Sequence, residues 1–161
     1  MSPPLQEEEQ GQRHFSLQLI ADVGRHTEVS PMRKIKRPVQ DSDVEKTAWY
    51  LGTDREIFGR ALCDVGGVSK IGFGLVELSP GCNTLPAHYH TLEEEHLYVL
   101  EGAGKLHLGT ETYSLVKGSY AHFPAGQEMP HFLSNDSTEP LKYIMVGERI
   151  EGDEVVYKND A

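Results

Sequence analysis

Apolar residues in this chain recur at every second position, in short runs cut off by glycine, proline, serine, asparagine or aspartate. Phe58–Val65 stops at Gly66-Gly67, and Lys70–Leu78 stops at Ser79-Pro80-Gly81. Glu95–Glu101 ends at Gly102, Lys105–Leu108 at Gly109, and Glu111–Val116 at Lys117-Gly118. Tyr120–Phe123 meets Pro124, His131–Leu133 meets Asn135-Asp136, and Lys142–Val146 meets Gly147. A period of two with turn residues between the runs predicts short strands forming a sandwich, barrel or jelly roll. Phe15–Ile20 shows a fainter alternation of the same kind. The one helical expectation is Asp43–Tyr50, with Ser42 as its N-cap. The polar start, with Pro3-Pro4 and Glu7-Glu8-Glu9, buries nothing. The expected organisation is a flexible tail over 1–14, an extended N-terminal arm over 15–45 and a single domain over 46–161.

Composition narrows this picture. The chain has 161 residues, 25 acidic against 15 basic, for a net charge of −10. Such an acidic body is a poor partner for nucleic acid. The mean hydropathy is −0.45, and no apolar run approaches a membrane span. The N-terminus lacks the basic and apolar regions of a signal peptide. Cys63 and Cys82 are too few for a disulfide scaffold, so a cytoplasmic protein with reduced thiols is expected. The cluster Arg33, Lys34, Lys36 and Arg37 has no interleaved aromatic and reads as a solvated loop. No glycine-rich phosphate loop is present.

The eight histidines are unevenly placed. His88 and His90 flank Tyr89, so on a strand both imidazoles share a face and Tyr89 points away. Glu93, Glu94 and Glu95 follow a bend at Thr91-Leu92, and His131 comes later behind Pro130. Two or three imidazoles and a carboxylate on one face suit a divalent first-row metal.

The series Gly81, His88, His90, Glu95 and Gly102 resembles the first motif of the cupin superfamily. Gly118, Pro124-Ala125-Gly126, His131 and Asn135 resemble the second. The segment is also similar to small single-domain bacterial cupins, some of them sugar or sugar-phosphate isomerases. The resemblance implies an all-β, double-stranded β-helix (jelly-roll) barrel carrying the N-terminal arm. It places the metal ligands on His88, His90, Glu95 and His131, with Glu95 chosen by its distance from Gly102 and Glu94 as the fallback. The metal would be divalent iron, manganese, nickel, cobalt or zinc. Two turns, before His88 and before His131, are longer than in the usual pattern. Relatives of this kind commonly dimerise, and a homodimer with the arm packed on its partner is expected.

Three functions fit this resemblance. One is a metal-dependent enzyme that isomerises or epimerises a small, sugar-like substrate at a polarised carbonyl. In that reading Glu94 and Tyr98 are the candidate catalytic groups, with Glu95 also available, and Arg60, Lys70 or Arg149 could make the pocket locally positive. Another is an Fe(II)-dependent dioxygenase-type cupin. The third is a non-catalytic module binding a metal and a small ligand. Of the remaining histidines, His96 and His107 should face outward and His14 and His26 are inert, while His122 is open to either face. Met129 and Phe132 should wall the pocket, Tyr120 and Tyr143 should pack on the barrel, Cys82 is a passive thiol, and Glu93 and Glu94 are either a spare acid/base pair or, as a charge run in a turn usually is, a solvated face.

Overall fold

The computed structural model describes residues 38–48, 57–66 and 69–158. The tail, the strand expected at Phe15–Ile20, the basic cluster and most of the arm therefore lie outside the described residues. Among the described residues, eleven strands form two antiparallel sheets. They are β1 (Thr47–Ala48), β2 (Ile57–Ala61), β3 (Ile71–Leu78), β4 (Ala87–His90), β5 (Glu95–Glu101) and β6 (Ala103–Leu108). Then follow β7 (Glu111–Val116), β8 (Tyr120–Phe123), β9 (His131–Ser134), β10 (Leu141–Glu148) and β11 (Val155–Lys158). One sheet runs β1-β2-β3-β10-β5-β8 and the other β11-β4-β9-β6-β7. This is the expected jelly roll. No helix among the described residues is long and apolar enough to cross a membrane.

The alternation predicts the packing well. In β10, Leu141, Tyr143 and Met145 turn inward, opposite Val76 and Leu78 of β3 and Leu97 and Val99 of β5. Leu106, Leu115, Leu133, Ile57 and Phe123 complete the core. Fully burying each large aliphatic side chain contributes about 1.5–3 kcal/mol, the main reason the two sheets stay together.

The helix expected at Asp43–Tyr50 is not formed over residues 43–48, the part of it that is described. Asp41–Asp43 is a single 3-10 turn, and Thr47–Ala48 pairs with Phe58–Gly59 instead. A segment with no buried residue in its turn gains little from helix formation, whereas the edge of β2 offers a hydrogen-bonding ladder. The run expected to continue through Val65 likewise ends at Ala61, and Leu62–Gly66 is a 3-10 turn.

Asn135 and Gly102 explain motif positions with no ligand role, and Gly147 shows a similar constraint outside the motifs. Gly102, at φ +80°, turns the chain from β5 in one sheet to β6 in the other, and a Cβ there would collide with the Pro140 carbonyl oxygen. Gly147 lies opposite Glu95 across β10 and β5, and a Cβ would crowd the Glu95 side chain at 3.3 Å. Asn135 is fully buried and ties a loop together: its amide donates to the Leu78 and Glu139 carbonyls, and its Oδ1 accepts from the backbone and hydroxyl of Ser137.

Candidate functional site

Strand β4 sits between β11 and β9, which pairs His88 directly with His131. Glu95 enters from the facing sheet as the first residue of β5. The ring of His131 lies 4.8 Å from that of His88 and is stacked on Phe123 at 3.7 Å. His88, His90, Glu95 and His131 are all buried. His88, His90 and Glu95 each bring a ligand atom within 4.8 Å of the others.

Their chemistry indicates what they can hold. The Nε2 atoms of His88, His90 and His131 and the Oε2 atom of Glu95 are buried and have no hydrogen-bond partner. Glu95 Oε2 lies 3.7 Å from His90 Nε2 and 3.6 Å from His131 Nε2. These gaps are too long for hydrogen bonds. They suit groups that share an ion at roughly 2.0–2.2 Å from each. Leaving four such atoms unpaired in the interior is costly, and a divalent cation would satisfy all of them. The donor set, three imidazoles and one carboxylate, fits a first-row metal and leaves room for a further ligand.

The protonation states of His88 and Glu95 agree with that role. Burial, reinforced by His131 and His90, lowers His88 to about 4, so its imidazole is neutral near pH 7. Burial would raise Glu95, but the facing His131, His90 and His88 outweigh it and bring its carboxyl down to about 2. For His90, burial is outweighed by Glu95, Asp153 and Glu93, and its pKa is raised.

Asp153 carries no signal in the sequence, yet it is integral to the site. Its Oδ2 is 2.6 Å from His90 Nδ1, and its Oδ1 accepts the Leu92 and Glu93 backbone N–H groups at 2.8 and 3.1 Å. The carboxylate keeps a proton on Nδ1 and so presents the Nε2 lone pair to the interior.

An open cavity of about 40 Å³ reaches the centre and is lined by His90, Glu93, Glu95, Leu108, Phe123, Gln127, Met129 and His131, among others. Tyr89, expected to point away, also borders it. Glu93 is the principal correction here. Read as part of a solvated run, it is in fact buried, because its Oε1 accepts the Ile150 N–H at 2.6 Å. Burial raises its pKa.

The two candidate catalytic groups are placed elsewhere. Tyr98 alternates out of phase with Leu97 and Val99 and is 47% exposed on the outer face. Glu94 also turns outward, to His96 and His122. Strand parity decides both, since Glu95 can point inward only if Glu94 does not. His96 and His107 lie on the outer face as expected, His107 stacked on Phe132. Phe132 therefore does not wall the pocket, whereas Met129 does. Tyr143 is buried in the core and Tyr120 is exposed. Arg60, Lys70 and Arg149 do not line the cavity; Arg149 is engaged with Cys63 and Asp64.

An open, buried His/Glu cluster at the end of a small jelly roll defines the class, and comparison with known proteins agrees. Residues 74–147 match the cupin domain family, and the two-sheet jelly roll is of the cupin type. A sugar phosphate isomerase from Silicibacter pomeroyi is similar in structure: 28% identity, TM-score 0.70, covering 76% of this chain and 82% of that one. A candidate sugar phosphate isomerase from Acidithiobacillus ferrooxidans is 34% identical, with a TM-score of 0.59 and 64% of each chain covered. Quercetin 2,3-dioxygenase of Bacillus subtilis is 34% identical over 98 residues, or 58% of this chain. The match spans only 29% of that dioxygenase.

Proposed function

We propose that the protein is a metal-dependent enzyme that isomerises or epimerises a small, sugar-like carbonyl compound. The observation that carries this reading is the set of four unpartnered ligand atoms of His88, His90, Glu95 and His131 beside a cavity bordered by buried Glu93. A metal held there would polarise a substrate carbonyl or hydroxyl. Asp153 orients His90, and Phe123 supports His131 from behind. Glu93, with a raised pKa and one oxygen anchored on the Ile150 N–H, is the group suited to take a proton from a carbon next to that carbonyl and return it. The cavity wall carries the carboxylates Glu93 and Glu95 and, among the described residues, no lysine or arginine. An unphosphorylated polyhydroxy substrate suits that wall better than a phosphate ester.

The test is a panel of aldoses and ketoses incubated in D₂O with metal-loaded protein, followed by NMR for exchange of the carbon-bound hydrogen. Exchange should occur in the wild type and fall by a factor of about 10²–10⁴ in Glu93→Gln. The similarity to quercetin 2,3-dioxygenase favours a second reading, an iron-dependent oxygenase on the same centre. Oxygen uptake by iron-loaded protein without hydrogen exchange would replace the first reading with the second. No turnover of either kind, with a melting temperature raised by one metabolite, would identify a binding module.

A further inference from the structure

Outside the barrel a second group of ligand-type side chains converges. His96 of β5 and His122 of β8 are direct cross-strand partners, and their rings stack at 4.6 Å with planes 6° apart. Parallel rings on paired strands aim both Nε2 atoms the same way, and Glu94 closes that side. Glu94 Oε1 is 3.2 Å from His96 Nε2, and its Oε2 is 3.5 Å from His122 Nε2. The three ligand atoms lie within 4.8 Å of one another. The backbone of Glu94 is itself fixed, since its carbonyl accepts the Glu148 N–H at 3.2 Å.

We propose that Glu94, His96 and His122 form a second, surface site for a divalent first-row cation such as Zn²⁺, Ni²⁺ or Cu²⁺. Two imidazoles and a carboxylate are an ordinary donor set for these ions, and water completes the coordination. A separate contact supports the arrangement: the Tyr120 hydroxyl is 2.8 Å from His96 Nδ1. With the phenol oxygen accepting from Nδ1–H, the Nε2 lone pair of His96 is offered to the ion, which replaces the 3.2 Å hydrogen bond between Nε2 and Glu94 Oε1, the same outer-partner logic that Asp153 applies to His90. All three ligands are partly exposed, so little desolvation opposes binding. His122 also borders the cavity that leads to the interior cluster. The second cation would therefore add positive charge at the mouth of an acidic pocket.

The experiment is equilibrium dialysis of the full chain against Zn²⁺, with metal counted by elemental analysis. His122→Ala and Glu94→Gln alter exposed side chains and should keep the fold, confirmed by unchanged melting of the metal-free protein. Each should bind one equivalent fewer than the wild type while keeping the interior ion. The double variant His88→Ala/His90→Ala should lose the interior ion and keep the outer one. In wild-type protein, Ni²⁺ added beyond the first equivalent should broaden the Tyr120 and His122 NMR signals. Undiminished metal content in both His122→Ala and Glu94→Gln would overturn the proposal. In that case the cluster is a hydrogen-bonded surface network in which His96 Nε2–H donates to Glu94. The result is independent of the enzymatic reading, because it requires no turnover.

Discussion

Asp153→Asn isolates the contribution of one hydrogen bond to metal binding. In the native site, Asp153 Oδ1 accepts the Leu92 and Glu93 N–H groups, while Oδ2 faces His90 Nδ1 at 2.6 Å. Both side chains are 6% exposed, so water cannot substitute. Asparagine can keep the two backbone bonds through its own Oδ1. Its NH₂ group then confronts the Nδ1–H of His90, donor against donor. His90 escapes by moving its proton to Nε2, which removes the lone pair aimed at Glu95 and His131, or by turning its ring away. Either outcome weakens an ion held there. Loss of such an outer partner typically costs 10–100-fold in metal affinity. That is about 1.4–2.7 kcal/mol. Competition for Zn²⁺ or Co²⁺ against a chromophoric chelator at fixed pH measures it, with the melting curve of the metal-free variant as control. Asp153→Ala provides the comparison in which the backbone bonds are lost as well. If Asp153→Asn binds metal within twofold of the wild type while melting normally, His90 does not depend on Asp153 for its tautomer and the reasoning fails.

His88→Ala/His90→Ala should abolish binding at the interior cluster, read as one equivalent of metal lost on elemental analysis; unchanged metal content would reject the ligand assignment. In the metal-free protein, His88 should titrate near pH 4 by NMR instead of near its ordinary 6.5. Because its folded pKa is depressed, the unfolded chain binds the proton first. Stability should therefore fall as pH drops from 6.5 to 4, by about 3 kcal/mol when the loss is complete. His90, with its pKa raised, opposes this: its contribution is complete below pH 6.5 and disappears as pH rises through its folded value. Comparing urea midpoints of wild type and His88→Ala across that window tests the His88 part, and parallel curves would refute it. Asn135→Ala leaves the Leu78 and Glu139 carbonyls without their side-chain donor in a fully buried position. It should cost about 2–4 kcal/mol and lower the melting temperature by roughly 5–15 °C, checked by calorimetry.

Much of the barrel is legible along the chain because strand alternation and its terminators are local properties. Leu97 and Val99, or Tyr143 and Met145, must share a face whatever they pack against, and the turn glycines mark where each run stops. The spacing of His88 and His90 carries the same kind of information, and their resemblance to a known motif brings in His131 and Glu95. The helix expected at Asp43–Tyr50 failed because local propensity is weak and an open strand edge lay nearby. Among three adjacent glutamates the motif singles out Glu95 but says nothing of Glu93 or Glu94. Only the pairing of β5 with β10 and β8, and the hydrogen bond from Ile150 to Glu93, decides that Glu93 and Glu95 are buried while Glu94 faces outward. Asp153 lies 63 residues from His90, and His96 lies 26 from His122, so neither partnership leaves a periodic trace. Local pattern was enough for most of the strands and, through the motif resemblance, for the candidate ligands. Which carboxylates serve the interior, and what stands behind each imidazole, was decided by tertiary register, because contacts between distant strands arise only when the two sheets close on each other.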